Sequence, residues 1–275
     1  MRQVRNQQRS DENYPRKRHG ESSFDASNSS SLPLQYRFGG AWFCELPFFV
    51  DRRVLIPRFD TEKLVEAVVL NMKKNPRRGA TPPLEKGEDF EGIRVLELCT
   101  GSGCVAVVLA RHGFEVTATD ISRGALRVAR KNAKLHEVDI KFLRGDLFPK
   151  GLKSCANDMR KVRLTQDPKP LFDCIVANPP YIRSEEIGKF DRGVLVEPRI
   201  ALDGGVDGLE FYRRIIERAG EFLVEGGRVF LEMDYRQGGE IGEMLAKAGF
   251  CDIKLVRDMQ GLERVIWAKK SILRG

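Results

Sequence analysis

The chain has 275 residues, 41% of them hydrophobic, and a formal net charge of +8. That length suits one large domain, or one domain with a small appendage, and the apolar content suffices for a substantial core. No run approaches the roughly 20 apolar residues that cross a bilayer, and no apolar segment near the N-terminus has the form of a secretory signal, so a cytoplasmic protein is expected rather than a membrane-spanning or exported one.

Residues 1–34 are polar and basic, with Arg2, Arg5, Arg9, Arg16, Lys17 and Arg18 ahead of the serine cluster "SSFDASNSSS". They lack the apolar side chains that offset ordering entropy and read as a disordered tail. Their Arg and Ser content resembles an organellar transit peptide, which gives a mitochondrial matrix location as the alternative, but Asp11, Glu12, Glu21 and Asp25 oppose it. Residues 35–90 read as a reduced N-terminal region. There "QYRFGGAWFCELPFFVDRRVLIP" holds two short aromatic and branched runs, broken at Gly39-Gly40 and Asp51-Arg52-Arg53, which predict a small antiparallel hairpin. After Pro57, Asp60 is placed to cap a helix whose Leu64, Val65, Val68, Val69 and Met72 share one face. The helix runs into the Pro- and Gly-rich linker "KKNPRRGATPPLEKGED".

Residues 91–275 alternate regularly. "IRVLEL" reads as a buried strand, Cys104 to Arg111 as a helix, "FEVTATD" as a strand, Ser122 to Leu135 as an amphipathic helix and "IKFLRGD" as a strand. Lys150 to Pro170 reads as a polar surface loop. The strand "FDCIVA" follows, then a helix from Leu209 to about Leu223, the strand "RVFLEM", a helix from Gly239 to Ala248, and the strands "DIKLVRD" and "ERVIWAK". Such alternation predicts an α/β fold built on a doubly wound, mostly parallel sheet. The last two strands are joined by "MQGL", too short for a helical crossover, so one of them runs antiparallel.

The six cysteines, Cys44, Cys99, Cys104, Cys155, Cys174 and Cys251, form no C-x-x-C pair, and with three histidines the chain shows no metal-ligand spacing. The cysteines are read as reduced and mostly core, and no metal is expected. The basic excess is spread along the sequence without a compact stripe of Arg and aromatic residues.

In doubly wound sheets ligands sit beyond the carboxyl ends of the strands. The first strand here ends in "ELCTGSGC", whose Gly101 and Gly103 permit a tight turn and close backbone approach. Asp120 ends the next strand, where an acid accepts from ribose hydroxyls. The loop lacks the full G-x-G-x-x-G of dinucleotide binders. Asp146, in "GDLF" at the end of the third strand, suits an adenine amino group, with Leu147 or Phe148 against the ring. A nucleoside without a pyrophosphate is implied.

The strand from Phe172 ends in "NPPY". Asn178 Oδ1 and the Pro179 carbonyl can each accept one proton of a planar NH2 group and so direct its lone pair at an electrophile. The prolines stiffen that backbone, and Tyr181 would pack on the planar group. The nitrogen could belong to a base in nucleic acid or to a glutamine amide in protein.

These motifs resemble the class I S-adenosylmethionine-dependent methyltransferases, whose Rossmann-like seven-stranded sheet has an antiparallel strand near its edge. With "VLIPRFDTEKLVE" before the glycine turn and "EPRIALDGGVDGLEFYRRII" after "NPPY", the chain from about Gln35 onward resembles the HemK/PrmC-type protein-(glutamine-N5) methyltransferases. The resemblance implies S-adenosyl-L-methionine as cofactor and methylation of the GGQ glutamine of a peptide chain release factor, on or near the ribosome, with no direct nucleic-acid binding. It places Glu97, Cys99, Thr100, Gly101, Ser102, Gly103, Asp120, Asp146, Leu147 and Asn178 at the cofactor, and Asn178, Pro179, Pro180 and Tyr181 at the glutamine. By the same resemblance Arg58, Asp60, Thr61 and Glu62 close over both, with Glu197, Pro198 and Arg199 nearby. The chain departs from the pattern in having "PRFDTE" for "PRPDTE", Cys99 where Gly is common, and a polar tail in place of a helical substrate-gripping domain. The alternatives are a ribosomal protein glutamine, an adenine N6 amino group in nucleic acid, or a non-catalytic binding module.

Overall fold

The computed structural model describes residues 32–73, 90–149, 152 and 172–272. The predicted tail up to Ser31, nearly all of the linker, Cys155 and all of the polar loop except Leu152 lie outside these residues.

A short helix α1 (Leu34–Phe38) leads into a two-stranded antiparallel hairpin, β1 (Gly40–Phe43) and β2 (Leu46–Phe49), and then α2 (Phe59–Met72). The alternating part runs β3 (Arg94–Leu98), α3 (Cys104–Arg111), β4 (Glu115–Asp120), α4 (Arg123–Leu135), β5 (Lys141–Arg144), β6 (Phe172–Ala177), α5 (Arg192–Leu195), α6 (Glu210–Phe222), β7 (Leu223–Glu232), α7 (Gly238–Lys247), β8 (Phe250–Arg257) and β9 (Glu263–Lys270). The sheet order is β5-β4-β3-β6-β7-β9-β8. The first five strands are parallel, and β9 is antiparallel to both neighbours, as the short "MQGL" turn requires. The order reverses between β3 and β6, where a cleft opens above the strand ends. Leu98 pairs with Ala177, so Cys99 and Asn178 emerge side by side at that point.

Each strand's alternation serves both layers. On β3, Val95 belongs to the core with Leu64 and Val68 of α2 and Val105 of α3. Leu96 and Leu98 belong to the core with Ile215 of α6 and Ile241 of α7. No helix among the described residues is long and apolar enough to cross a membrane.

Four local features differ from the sequence reading. The segment before Gly39 is helical rather than extended. Asp60 does not cap α2: the N-cap is Arg58, whose side chain makes no capping bond, and the Asp60 carboxylate pairs with Arg264 at 3.3 Å instead. β7 begins at Leu223 because α6 gives way directly to extended backbone that pairs with Phe172. Short helical turns occupy 187–189, 192–195 and 199–201, between the prolines and α6.

Five cations share one face of α4, where Arg123, Arg127, Arg130, Lys131 and Lys134 are exposed and form no salt bridge among the described residues. The opposite face carries Asn132, fully buried, which ties the hairpin to the glycine turn. Its Oδ1 accepts from the Phe49 N–H at 2.8 Å, and its Nδ2 donates to the carbonyls of Phe49 and Ser102 at 2.9 and 2.8 Å.

Candidate active site

The turn after β3 needs an irregular backbone at three alternate residues. Cys99, Gly101 and Gly103 all take positive φ, at 57°, 55° and 79°. Cys99 is the costly member, since a side chain there is strained where glycine is not. Gly103 is required on two counts: besides its φ, a Cβ on it would lie 2.9 Å from the Ala129 Cβ on α4. Gly103 therefore brings α3 and α4 together rather than lining the cleft.

Asp120 organises the turn from the neighbouring strand. Its Oδ2 accepts from the Gly101 N–H at 2.9 Å and its Oδ1 from the Ser122 N–H at 2.8 Å. Burial raises its pKa, and those two backbone bonds oppose the rise. Below it Glu97 is 3% exposed and accepts a hydrogen bond from the Thr100 hydroxyl. Burial pushes the Glu97 carboxyl up to about 8. Thr119 braces the third strand end by donating to the Leu147 carbonyl at 3.0 Å.

These groups floor a cleft of about 210 Å³. Glu97, Cys99, Thr100, Gly101 and Ser102 line it from the turn, Asp120, Asp146 and Leu147 from the adjoining strand ends, and Asn178 and Pro180 from the end of β6. Arg58 and Thr61 line it from above. Most residues singled out in the sequence thus converge on one cavity.

Several do not. Phe148 turns away and stacks on Phe222, with ring centroids 4.5 Å apart, so of the two ring-facing candidates only Leu147 reaches the cleft. Asp60 is drawn off by Arg264, and Glu62 accepts from the Cys44 N–H at 2.7 Å, so neither closes over the cavity. Arg199 points to Asp203 at the surface. Tyr181 lies against the α6 core outside the lining; its backbone carbonyl accepts from Gln237, and burial raises its pKa. Asp146 does line the cleft, but at its rim, where it is half-exposed and pairs with Arg214 at 2.5 Å. Cys251 is exposed, unlike the buried Cys104 and Cys174.

Part of the roof was not legible in the sequence. Val54, Leu55 and Pro57, expected within the hairpin unit, form an extended loop over the cleft, joined by Pro198, Ile200 and Ala201 from the far side. The two sides are latched by Arg58, whose guanidinium meets the Glu197 carboxylate at 2.5 Å. The Glu197 side chain is 1% exposed. Burial raises its pKa, and Arg58 opposes that rise. Phe211 and Arg214 of α6 close the remaining wall. Only the apolar run "VLIP" hinted at such a roof.

At the end of β6, Asn178 Nδ2 donates to Thr61 Oγ1 at 3.2 Å, which joins the first turn of α2 to the proline turn. The side chains of Thr61 and Asn178 both face the carboxylate of Glu232 at the end of β7. Glu232 is 1% exposed, and burial pushes its carboxyl up to about 7. In the sequence Glu232 looks like the polar end of the apolar strand "RVFLEM" and carries no signal of a site.

Comparison with known proteins agrees with this architecture. The family described as "Methyltransferase domain" matches residues 95–178, from β3 to Asn178. The solved 16S rRNA N2 G1207 methyltransferase of T. thermophilus, in complex with AdoMet and guanosine, superposes with a TM-score of 0.54 at 18% identity, covering 84% of this chain and 49% of that one. That likeness concerns the fold, which is of class I. A release factor glutamine methyltransferase from Thermodesulfovibrio yellowstonii is 36% identical over 243 residues, 87% of this chain and 77% of its own. One from Geobacter sulfurreducens is 37% identical over 245 residues, 88% of this chain and 74% of its own. With the cleft, the glycine turn and the proline turn all inside those alignments, the chain belongs to the release factor glutamine methyltransferase family.

Proposed function

We propose that the chain methylates the side-chain N5 of a glutamine, using S-adenosylmethionine, and that the glutamine is that of the GGQ motif in a peptide chain release factor, in the cytoplasm. The observation that carries this is the proline turn at the switch point, with the Asn178 amide held by Thr61 beside an acid-lined cleft. The names of the relatives support the choice of substrate.

The residues present fit that cofactor. Glu97, Asp120 and Asp146 face the cavity, while the arginines at its margin are already engaged: Arg53 by Asp51, Arg58 by Glu197 and Arg214 by Asp146. Carboxylates at strand ends suit ribose hydroxyls, amino groups and a cationic sulfur, and disfavour a pyrophosphate. When bound, the cofactor supplies an electrophilic methyl group on a sulfonium.

The protein's task is then to aim a poor nucleophile. An amide lone pair is delocalised into its carbonyl, and two acceptors on the NH2 protons fix its direction. Asn178 Oδ1 and the Pro179 carbonyl are those acceptors. The stiff Pro179-Pro180 backbone holds them before the substrate arrives, so little reorganisation is left for the reaction. Formation of the N–CH3 bond leaves one amide proton to be released, which water can accept.

A second reading, methylation of an amino group in nucleic acid, is favoured by the five exposed cations of α4, since such a face attracts phosphates. One experiment separates the two. Labelled methyl from S-adenosylmethionine is offered to a purified release factor, to its GGQ Gln→Ala variant, to a ribosomal protein mixture and to duplex DNA and RNA. Label on the wild-type factor alone supports the proposal, and label on nucleic acid or a ribosomal protein overturns it.

A further inference from the structure

Glu232 stands at the end of β7, beneath the proline turn and outside the cleft. Its backbone carbonyl accepts from the Tyr212 hydroxyl at 2.8 Å. Its carboxylate faces the Thr61 and Asn178 side chains, and its Oε2 is buried without a partner among the described residues. Burying a carboxylate with one oxygen unsatisfied is costly, and a strand end does not require it. Hydrophobic residues precede it on β7, where Val229, Phe230 and Leu231 are fully buried.

The direction of the hydrogen bonds explains the cost. An ionised carboxylate only accepts. Facing it, Thr61 must spend its single hydroxyl proton on Glu232, which leaves the Thr61 oxygen to accept. What it accepts is Asn178 Nδ2–H, at 3.2 Å. A side-chain amide has two ends, and with Nδ2 committed to Thr61, Oδ1 is presented on the opposite side. Asn178 lines the cleft while Glu232 does not, so the opposite side is the cleft.

We propose that Glu232 is a positioning residue that, through Thr61, fixes which end of the Asn178 amide faces the substrate. Without that polarity the Asn178 side chain could turn Nδ2 toward the substrate NH2, setting donor against donor and losing the lone-pair alignment. This rests on the proposed glutamine chemistry and adds to it a residue that never touches the substrate.

The arrangement makes the rate depend on the charge of Glu232. A protonated Glu232 can donate, the relay no longer has one direction, and kcat falls as pH drops through about 7. The other groups around it are Asp60 on α2, Arg264 on β9, Tyr181 after the prolines and Asp234 just beyond β7. Arg264 is held by Asp60 at 3.3 Å and Asp258 at 2.8 Å. Burial opposes ionisation of Asp234, but its hydrogen bonds from Arg236 hold it below the ordinary carboxylate range, and burial keeps Tyr181 neutral well above 7.

The test measures kcat, KM for the protein substrate and cofactor affinity from pH 5.5 to 9 for the wild type, Glu232→Gln, Thr61→Val and Thr61→Ser. The expected result is a kcat at least tenfold lower in Glu232→Gln at pH 8 with cofactor affinity within about twofold, and no acid limb near pH 7. Thr61→Ser keeps the hydroxyl and stays within about threefold of wild type, whereas Thr61→Val falls as far as Glu232→Gln. A Glu232→Gln variant that keeps both its rate and the acid limb, or serine and valine at position 61 behaving alike, would overturn the inference. Absence of transfer by the wild type would overturn the functional reading along with it; normal wild-type turnover beside an indifferent Glu232→Gln overturns this inference alone.

Discussion

Asp120 Oδ2 accepts the Gly101 N–H at 2.9 Å, so the acid at the end of β4 holds in shape the glycine turn at the end of β3. The pair gives Asp120 two duties, since the same carboxylate faces the cleft.

Asp120→Asn keeps the volume and removes the charge. Hydrogen bonds to a charged acceptor contribute about 1.5–3 kcal/mol each, and about 1.4 kcal/mol is tenfold in affinity. Cofactor affinity measured by calorimetry is expected to fall about 10- to 100-fold, with kcat at saturating cofactor changed far less. An unaltered affinity would remove Asp120 from the cofactor site.

Gly103→Ala sets a methyl group against Ala129 at 2.9 Å in a backbone with φ of 79°. Overpacking and left-handed strain together are expected to cost about 2–4 kcal/mol. Thermal unfolding checks this, and Gly101→Ala provides the contrast: at φ 55° it carries similar backbone strain, but the nearest atom to its new methyl is 4.0 Å away. The difference between the two variants isolates the close approach of α3 to α4.

Asn178→Ala removes a hydrogen-bond acceptor proposed to act mainly in the transition state. Loss of one such group typically lowers kcat about 10²- to 10³-fold, and because a cofactor-binding role is secondary here, affinity for S-adenosylmethionine should hold within a few-fold. Parallel loss of turnover and cofactor affinity would argue against the assignment.

Glu97 binds its proton more tightly when folded than when unfolded, because burial pushes its pKa from 4.5 up to about 8. The native state therefore carries more protons between those values, and the stability that Glu97 contributes, complete below about 4.5, is lost as pH rises toward 8. Glu97→Gln should flatten that dependence. Chemical denaturation at pH 5 and pH 8 is expected to show the variant gaining on the wild type at the higher pH; an equal difference at both would contradict the raised pKa.

Arg58→Ala leaves the buried Glu197 carboxylate without its cation. Since Arg58 is itself partly exposed, the loss is expected at about 1–2 kcal/mol, below that of a fully buried pair. Adding Glu197→Gln to Arg58→Ala should recover part of it in urea titrations. A double variant no more stable than Arg58→Ala would mean the pair does not latch the roof.

What the sequence made legible follows from how far apart the interacting residues lie. The strands from "IRVLEL" to "ERVIWAK" carry their own periodicity, and the proline turn and glycine turn are written in consecutive residues. Asp120 could be placed because strand ends in such sheets converge on one edge. The contacts that complete the site are long-range and carry no local signal. Asn132 reaches Phe49, Arg58 reaches Glu197, and Thr61 reaches Asn178, all from separate elements. Asp60 misled because its capping signal is local, whereas its partner Arg264 lies in the last strand. Phe148 and Leu147 are adjacent and both apolar. The φ of 54° at Leu147 is what sends their side chains different ways, and nothing in "GDLF" announces it.

The triple hydrogen bond of Asn132 bears on how the molecule can be taken apart. One buried amide spans residues 49, 102 and 132, and Phe43, Phe48, Leu64 and Val68 lie in the same core as Val105 and Phe230. A fragment starting at residue 91 would keep every strand of the large sheet, yet one of its faces would be stripped and Asn132 would be left with a single partner. Deleting the hairpin and α2 is therefore not a trimming of an appendage. The segment is a structural prosthesis for the glycine turn, and grafting this catalytic sheet onto another N-terminal module would succeed only if that module brought its own substitute for Phe49.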